Sequence, residues 1–352
     1  MKISNVASIV NTKIDASILT AHTYISTECM LPNCGGIENC SSIPNGKVTS
    51  FDKNDILLSN IRPYFKKLWF STRSGGCSND VICLRITNGE CLPKYLYYAL
   101  CTDEFIDTFS ASSKGTKMPR GDKNALLTYA IPDRNIEDQL HIVDILGSID
   151  EKIEKLEKEN KEFQKLCLSQ FKLYFNNKEK VALNKLATVT MGQSPDGNTI
   201  NESSGTIFYQ GRTDFGFRYP EVRLFTSAPK RMAKEDDILL SVRAPVGDVN
   251  VAMENCCIGR GLAAISSNYK HFVFYSLLAQ QSDFDVYNNT GTIFGSINRE
   301  ALLSFAVPAS DMIDVVKFDS LVETIDSKIK QNVIESIKLK ELKSLHLQKF
   351  FG

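Results

Sequence analysis

The sequence predicts an α+β protein in which two similar globular modules are separated by two long helices. Three observations predict this class: motifs recur within the chain, each copy ends in a long amphipathic segment, and the strands lack the regular βαβ alternation of a doubly wound sheet. A chain of 352 residues with 43% hydrophobic and 23% charged side chains suits two globular domains of moderate size.

Two motifs carry the internal repeat. The segment D-I-L-L-S at residues 55–59 recurs at residues 237–241, and each copy is followed closely by an Arg and a Pro. A second motif, G-T…A-L-L…P, covers residues 115–132 and recurs at 291–308. The offset between these two copies continues beyond the motif, since Ile149 and Asp150 match Ile325 and Asp326. This constant register indicates a duplicated unit.

Within each module, the apolar pattern predicts strands mixed with short helices. Strands are expected at residues 56–59, 81–86 and 238–242, where β-branched and apolar residues cluster. Short helices are expected at residues 93–102 and 269–280. The order of elements is therefore module, long helix, module, long helix.

The two long helices have similar starts and similar apolar seams. Asn135 with Asp138, and Asp311 with Asp314, each give an N-cap with an acid three residues on. In the first helix the seam residues alternate in steps of four and three, as in a heptad repeat. They are Ile142, Leu146, Ile149, Ile153, Leu156, Asn160, Phe163 and Cys167. The second seam is Phe318, Val322, Ile325, Ile329, Asn332, Ser336 and Leu339, and further apolar residues lie at Val333, Ile337 and Leu342.

About forty residues per helix give rods of roughly 60 Å, which exceeds what one module of this size covers. We therefore predict that the helices pack as an antiparallel coiled coil and that the modules are related by a pseudo-twofold axis. The alternative is that each helix docks onto its own module. The predicted boundaries are 1–132 for the first module, 133–178 for the first helix, 179–308 for the second module and 309–352 for the second helix.

Composition restricts the function classes. No apolar run approaches the roughly 20 residues that span a bilayer, and the start of the sequence lacks signal-peptide order, so a soluble cytoplasmic protein is expected. The ten cysteines are then expected to be reduced thiols. Cys29, Cys34 and Cys40 with His22 form one cluster, but the sequence has no C-x-x-C pair, and no metal site is predicted.

Motifs of catalysis are missing from the sequence. It contains no phosphate-binding Gly-rich loop, no H-E-x-x-H, no G-x-S-x-G and no N-P-P-aromatic tetrapeptide. The four histidines are scattered, and the last two, His271 and His346, lie in predicted helices without an acidic or thiol partner at useful spacing. Asp133 followed by Asp150 and Lys152 fits a loose nuclease pattern, but its second half falls within the first long helix. We predict no catalytic residues.

Basic residues are the remaining candidates for function. Equal numbers of basic and acidic side chains, 41 and 41, mean that any DNA-binding surface must be a local patch. Arginines and lysines near aromatic residues and glycines are typical of contacts to phosphates and guanine edges, although each alone could be ordinary surface. The candidates are Arg62, Lys66, Lys67, Lys117, Arg120, Lys123, Arg212, Arg218, Arg243, Arg260 and Arg299.

Taken together, these motifs resemble the specificity (S) subunit of Type I restriction-modification systems. The D-I-L-L-S…R-P and G-T…A-L-L…P segments in both copies, I-E-D-Q-L at residues 136–140, the paired I-D-x-K-I helices and the aromatic helix ends carry the resemblance. The second copy departs from the I-E-D-Q-L pattern, with Ile313-Asp314-Val315 in place of Glu137-Asp138-Gln139.

The resemblance implies two target recognition domains that each read half of a split double-stranded DNA sequence. It also implies spacer helices that dock modification (methyltransferase) subunits carrying S-adenosylmethionine, and a restriction (motor-nuclease) subunit using ATP and Mg²⁺. No cofactor is expected on this chain. A methylation-only system would use the chain equally well. A protein scaffold or phage decoy, and a standalone nuclease, are the alternatives from other classes.

Overall fold

The structure, a computed structural model, describes residues 1–113, 118–176, 178–288, 295–309 and 311–352. The G-T dipeptides of the repeat, at 115–116 and 291–292, lie outside these ranges. The chain forms two compact units, residues 1–155 with 335–352 and residues 156–334. No helix in the described ranges is both long enough and apolar enough to span a membrane.

The first module contains short strands and short helices, and a long helix follows it. The strands are β1 (Ala7–Ile9), β2 (Lys13–Asp15), β3 (Tyr24–Ile25), β4 (Lys47–Phe51), β5 (Ile56–Ser59), β6 (Leu68–Phe70), β7 (Gly75–Cys77) and β8 (Val81–Ile86). The helices are α1 (Ile3–Val6), α2 (Pro93–Leu100), α3 (Asp103–Ala111), α4 (Lys123–Thr128) and the long α5 (Ile136–Phe175). The strands and the helix predicted here are confirmed.

In the second module, too, most strands come before the last short helices and the long helix, but one further strand lies between the last short helix and the long one. Its strands are β9 (Lys180–Ala182), β10 (Thr188–Met191), β11 (Ile200–Asn201), β12 (Thr206–Tyr209), β13 (Leu224–Thr226), β14 (Met232–Ala233), β15 (Ile238–Ser241), β16 (Val249–Val251), β17 (Cys256–Ile258), β18 (Leu262–Ser266) and β19 (Ala306–Pro308). The helices are α6 (Lys270–Ala279), α7 (Arg299–Leu303) and α8 (Met312–Phe351). α5 and α8 are each 40 residues long, and they begin at equivalent positions of the repeat.

Both modules contain a sheet of the same topology. In the first it has the order β1-β8-β5-β6, and in the second the order β10-β18-β15-β16, with antiparallel neighbours throughout. The second sheet of each module differs, since it is β2-β4-β7-β3 in one and β11-β13-β12-β17-β14 in the other. The α+β class and the duplication are thus confirmed.

The D-I-L-L-S motif recurs because it shapes and fills this common sheet. The carboxylate of Asp55 accepts a hydrogen bond from the Asp52 amide at 2.7 Å, and that of Asp237 accepts one from the Lys234 amide at 2.8 Å. Each aspartate thereby closes the turn that precedes its strand. The following Ile-Leu-Leu residues are buried in both copies. The motif itself is therefore structural, and it positions the segment that follows it.

The long helices start as the sequence predicts. Asn135 Oδ1 accepts a hydrogen bond from the Asp138 amide at 2.8 Å, and Asp311 Oδ1 accepts one from the Ile313 amide at 2.8 Å. These side chains satisfy amides that the first turn of a helix leaves without a partner.

Within each unit, half of α5 packs against half of α8 in antiparallel orientation. In the first unit, Ile142 and Leu146 near the start of α5 share a core with Leu347 and Phe351 at the end of α8. In the second unit, Cys167, Phe171 and Phe175 at the end of α5 share a core with Val315, Phe318 and Val322 at the start of α8. These cores also contain module residues, so the helices pair with each other and also dock onto the modules.

The predicted seam residues are mostly buried. Three of them are half-buried and the others are buried. The half-buried ones are Phe163, Ile325 and Leu339, and the buried ones include Ile142, Leu146, Ile149, Ile153, Leu156, Val322 and Ile329. Asn160 and Asn332 meet within the buried seam of the second unit, where Nδ2 of Asn332 donates to Oδ1 of Asn160 at 3.0 Å. A buried Asn pair favours one register of a coiled coil over others.

Candidate DNA-binding surface

In the first module, two loops that carry predicted basic residues are brought together. Ile61, just after β5, forms an isolated antiparallel bridge with Arg120, and the Arg62 amide donates to the Pro119 carbonyl at 2.9 Å. We call residues 61–65 and 118–123 the first rim. Arg62 is exposed there in a left-handed conformation, φ 50°. Tyr64, Phe65 and Met118 are also exposed on the first rim.

The second module repeats this arrangement at the equivalent positions. Arg243 forms an isolated antiparallel bridge with Ser296, and the Ala244 amide donates to the Gly295 carbonyl at 2.9 Å. We call residues 243–245 and 295–299 the second rim. Arg260 lies beside it, because the adjacent Gly261 carbonyl accepts a hydrogen bond from the Val242 amide. The loop pairing is thus part of the duplicated fold.

Each rim also includes the first residue of a short helix. Lys123 begins α4 and Arg299 begins α7, and the two positions are equivalent in the repeat. The preceding residue caps each helix, since Asp122 accepts from the Asn124 amide and Asn298 accepts from the Ala301 amide. Both basic side chains are exposed.

The predicted basic residues differ in whether they already form ion pairs within the protein. Within the described ranges, one exposed group of them forms no ion pair: Arg62, Lys123, Arg243, Arg260 and Arg299. Arg120 is exposed but pairs with Asp80 at 2.8 Å, and Arg212 pairs with Asp248. The first group is therefore available for phosphates or base edges without breaking an existing pair.

Lys66 and Lys67 are held by the first module itself. The Lys66 ammonium pairs with Asp103 at 2.7 Å, and its side chain is only 19% exposed. The Lys67 ammonium donates to the Thr27 carbonyl at 2.7 Å, and burial lowers the pKa of Lys67. Both lysines tie the loop after β5 to its neighbours. Lys117 lies outside the described residues.

Arg218 is the predicted DNA contact that the structure contradicts. Its side chain is 3% exposed, so it cannot reach a DNA duplex on the surface. The guanidinium pairs with Asp326 of α8 at 2.7 Å and lies over the Phe274 ring, 3.5 Å from the centroid. The sequence pattern of an Arg near aromatics and glycines does not distinguish a surface contact from such a buried stack.

Asp326 itself collects three donors that the sequence did not reveal. The phenol of Tyr275 donates at 2.8 Å and Nδ1 of His271 lies 2.6 Å from the carboxylate, in addition to Arg218. Burial opposes ionisation of Asp326, but Arg218 and the hydrogen bonds outweigh it and hold its pKa below the ordinary value. The expectation of no acidic partner at useful spacing is thus wrong for His271, since the fold brings Asp326 to it from 55 residues away in the sequence.

The cysteines also depart in part from expectation. Cys29 and Cys40 form a disulfide, whereas all cysteines were expected to be reduced. The other eight are free thiols, and most of them are buried. Among the residues that the structure describes, no three His, Cys, Asp or Glu side chains come together as a metal-binding group.

The second half of the nuclease-like pattern lies on α5, as the sequence predicts. Asp150 accepts hydrogen bonds from the Tyr98 phenol at 2.9 Å and from the Lys343 ammonium at 2.5 Å. Lys152 pairs with Glu335 at 3.2 Å. Asp150 therefore joins α5 to the first module and to α8, whereas Lys152 joins α5 to α8.

Comparison with known proteins identifies the class of the chain. Residues 12–164 match the family model of the type I restriction modification DNA specificity domain. A protein of Methanocaldococcus jannaschii named as the MjaX specificity subunit of a type I restriction enzyme is 30% identical over 297 residues, which cover 76% of this chain and 70% of the relative.

Solved structures align with the chain over almost its whole length. The S subunit of a type I restriction-modification system from M. genitalium aligns over 100% of this chain and 95% of its own, with a TM-score of 0.61 and 17% identity, and it shows the same fold. The HsdS subunit from Thermoanaerobacter tengcongensis aligns over 100% and 95%, with a TM-score of 0.39 and 23% identity. Because of the family-model match and the relative that is 30% identical, the chain belongs to the family of type I restriction-modification specificity subunits, and its role is DNA recognition.

Proposed function

We propose that the chain recognises a two-part DNA target, that each module reads one part, and that the chain has no catalytic centre of its own. The observation that carries this proposal is the repetition of the rim. The same two loops meet through the same kind of bridge in both modules, and both rims present exposed cations. Two equivalent surfaces on one chain suit two separate stretches of DNA.

The chemistry of the rims suits DNA. Arginine and lysine side chains neutralise phosphates and release counterions, and arginine forms bidentate hydrogen bonds with guanine in the major groove. The exposed Tyr64 and Phe65 of the first rim add flat apolar surface beside these cations. Because the net charge of the chain is zero, attraction for DNA must come from such local groups.

The long helices supply a candidate docking surface for partner proteins. Several exposed apolar side chains occupy equivalent repeat positions in the two helices and are between 37% and 48% exposed. The pairs are Ile136 with Met312, Leu140 with Val316, and Leu166 with Leu342. Apolar side chains that stay exposed at the same place in both copies favour binding of one kind of partner twice.

We propose that these partners are methyltransferase subunits, which would bring S-adenosylmethionine, and that a motor-nuclease subunit would bring ATP and Mg²⁺. The chain itself would bind none of these cofactors. Its contribution would be to select the DNA sequence and to hold the catalytic subunits beside it.

Removal of one rim arginine tests the DNA-binding surface. Arg62→Ala and Arg243→Ala are each expected to weaken DNA binding by the complex reconstituted with methyltransferase subunits. Each should also reduce the slope of log K against log salt by about 0.9, because one phosphate contact is lost. The measurement is a titration of duplex DNA over a range of salt concentrations.

Lys53→Ala and Lys234→Ala are matched controls. Both lysines are exposed, but they precede β5 and β15, whereas the rim arginines follow those strands. The controls are expected to leave affinity and salt slope unchanged. Equal effects of the control and rim substitutions would show that general charge, and not the rims, determines binding.

A further inference from the structure

An aspartate at the same repeat position joins each long helix to its module. Asp150 of α5 accepts from the Tyr98 phenol of α2, and Asp326 of α8 accepts from the Tyr275 phenol of α6. The two distances are 2.9 and 2.8 Å. The Asp326 side chain is 4% exposed and that of Asp150 is 24% exposed, and burial of a carboxylate is costly unless a cation lies beside it.

The cation comes from a different part of the fold in each unit. In the first unit it is Lys343, which reaches Asp150 from the opposing long helix at 2.5 Å. The equivalent repeat position on α5 is Cys167, which cannot supply a positive charge. Cys167 is buried in the same core as Tyr275. In the second unit the cation is Arg218, which belongs to the module and not to a helix.

Arg218 lies at the tip of a small hairpin. Phe215 and Pro220 close the hairpin through an antiparallel bridge, and the Glu221 amide donates to the Asp214 carbonyl at 2.8 Å. The Arg218 carbonyl accepts a hydrogen bond from the Val251 amide of β16. The tip is thus fixed to the sheet by its backbone and to α8 by its side chain.

The base of the same hairpin carries two half-exposed arginines. Arg212 is 55% exposed and pairs with Asp248, while Arg223 is 51% exposed and pairs with the buried Asp214. A shift of the tip would move this base, because the Phe215–Pro220 bridge and the hydrogen bond from Glu221 to Asp214 join the two strands of the hairpin between the tip and the base. The positions of Arg212 and Arg223 therefore depend on where the tip is held as well as on their pairs with Asp248 and Asp214.

We propose that Arg218 is a positioning residue for DNA reading by the second module. It ties the hairpin that carries Arg212 and Arg223 to Asp326 of α8. In the first unit the corresponding cation, Lys343, lies on α8. Substitutions in the first module would therefore leave the Lys343–Asp150 ion pair in place. This inference rests on the proposed function, because it assumes that the second module reads one part of the target.

Three variants distinguish whether Arg218 positions the hairpin or only balances the charge of Asp326. Arg218→Gln removes the cation and leaves Asp326 buried without it. Arg218→Gln with Cys167→Lys supplies the cation from α5, as Lys343 does from α8 in the first unit. Lys343→Gln is the matched control, which removes the equivalent cation without touching a module loop. The protein is assembled with methyltransferase subunits, and both thermal unfolding and DNA binding are measured.

The DNA probes are the target duplex and duplexes altered in one part only. Arg218→Gln is expected to lower the unfolding temperature and to reduce discrimination in one part of the target by about tenfold, comparable to the loss of one base contact. Addition of Cys167→Lys should restore the unfolding temperature but not the discrimination. Lys343→Gln should lower the unfolding temperature and leave discrimination in both parts intact.

Two results would overturn the inference. Discrimination that survives in Arg218→Gln would show that the hairpin does not need its anchor. Discrimination restored together with stability by Cys167→Lys would show that Arg218 only balances the charge of Asp326. A wild-type complex that discriminates in neither part would instead refute the proposed function, and the inference with it.

Discussion

Insertion of one heptad into each long helix is expected to widen the gap between the two recognised parts of the DNA target by up to about three base pairs. Seven helical residues add about 10.5 Å, and one base pair occupies about 3.4 Å along the DNA axis. The bases within each part should stay the same, because neither rim is altered.

The structure indicates where to insert. The two compact units divide α5 between residues 155 and 156 and α8 between residues 334 and 335, so insertions there leave the contacts within each unit intact. A heptad preserves the seam, since the apolar pattern repeats every seven residues. The readout is methylation mapping in cells that carry the variant with its partner subunits.

A heptad inserted into α5 alone is the control, because it lengthens one helix without its partner and should abolish methylation at both spacings. Methylation by the doubly extended variant at the original spacing would show that the helices do not set the distance.

Replacement of Phe318 by alanine is expected to destabilise the second unit by about 3–5 kcal/mol, the usual cost of removing a buried phenylalanine. Phe318 is fully buried and lies in a cluster of rings from α5, α6 and α8. Its ring centroid is 5.4 Å from that of Phe171, 5.6 Å from Phe175 and 6.4 Å from Phe272. Loss of this ring would leave a cavity where both helices meet the module.

Chemical denaturation, monitored by hydrogen exchange at the amides of α6, measures the free energy of unfolding of the second unit specifically. Leu173→Ala is the matched control on α5, since Leu173 is 75% exposed and should cost less than about 0.5 kcal/mol. A Phe318→Ala protein as stable as the control would mean that the aromatic cluster does not hold the helices to the module.

The strands, helix starts and helix seams could be predicted from the sequence, because each depends on a pattern of neighbouring residues. β5 and β8 have their predicted bounds, and the long helices begin next to their predicted caps. The seam was predictable because heptad spacing directly reflects which face of a helix is buried. The second sheet of each module was not predicted, since strands as short as Tyr24–Ile25 carry no alternation to detect.

Most features of the candidate site that the sequence did not predict are contacts between residues far apart in the sequence. Arg218 and Asp326 are far apart in sequence, and nothing local distinguishes Arg218 from an exposed arginine such as Arg243. The pairing of the two rim loops was also not predicted, although the motifs on either side of each rim were recognised. The constant offset of the repeat could have revealed the equivalence of Lys123 and Arg299, because both follow a capping residue before an A-L-L segment.

The central claim is that one chain holds two separate reading surfaces. Methylation mapping in cells that express the wild-type chain with its partner subunits tests it most directly. We predict a target made of two short groups of specified bases separated by a fixed number of unspecified ones. A single uninterrupted target sequence would contradict the account.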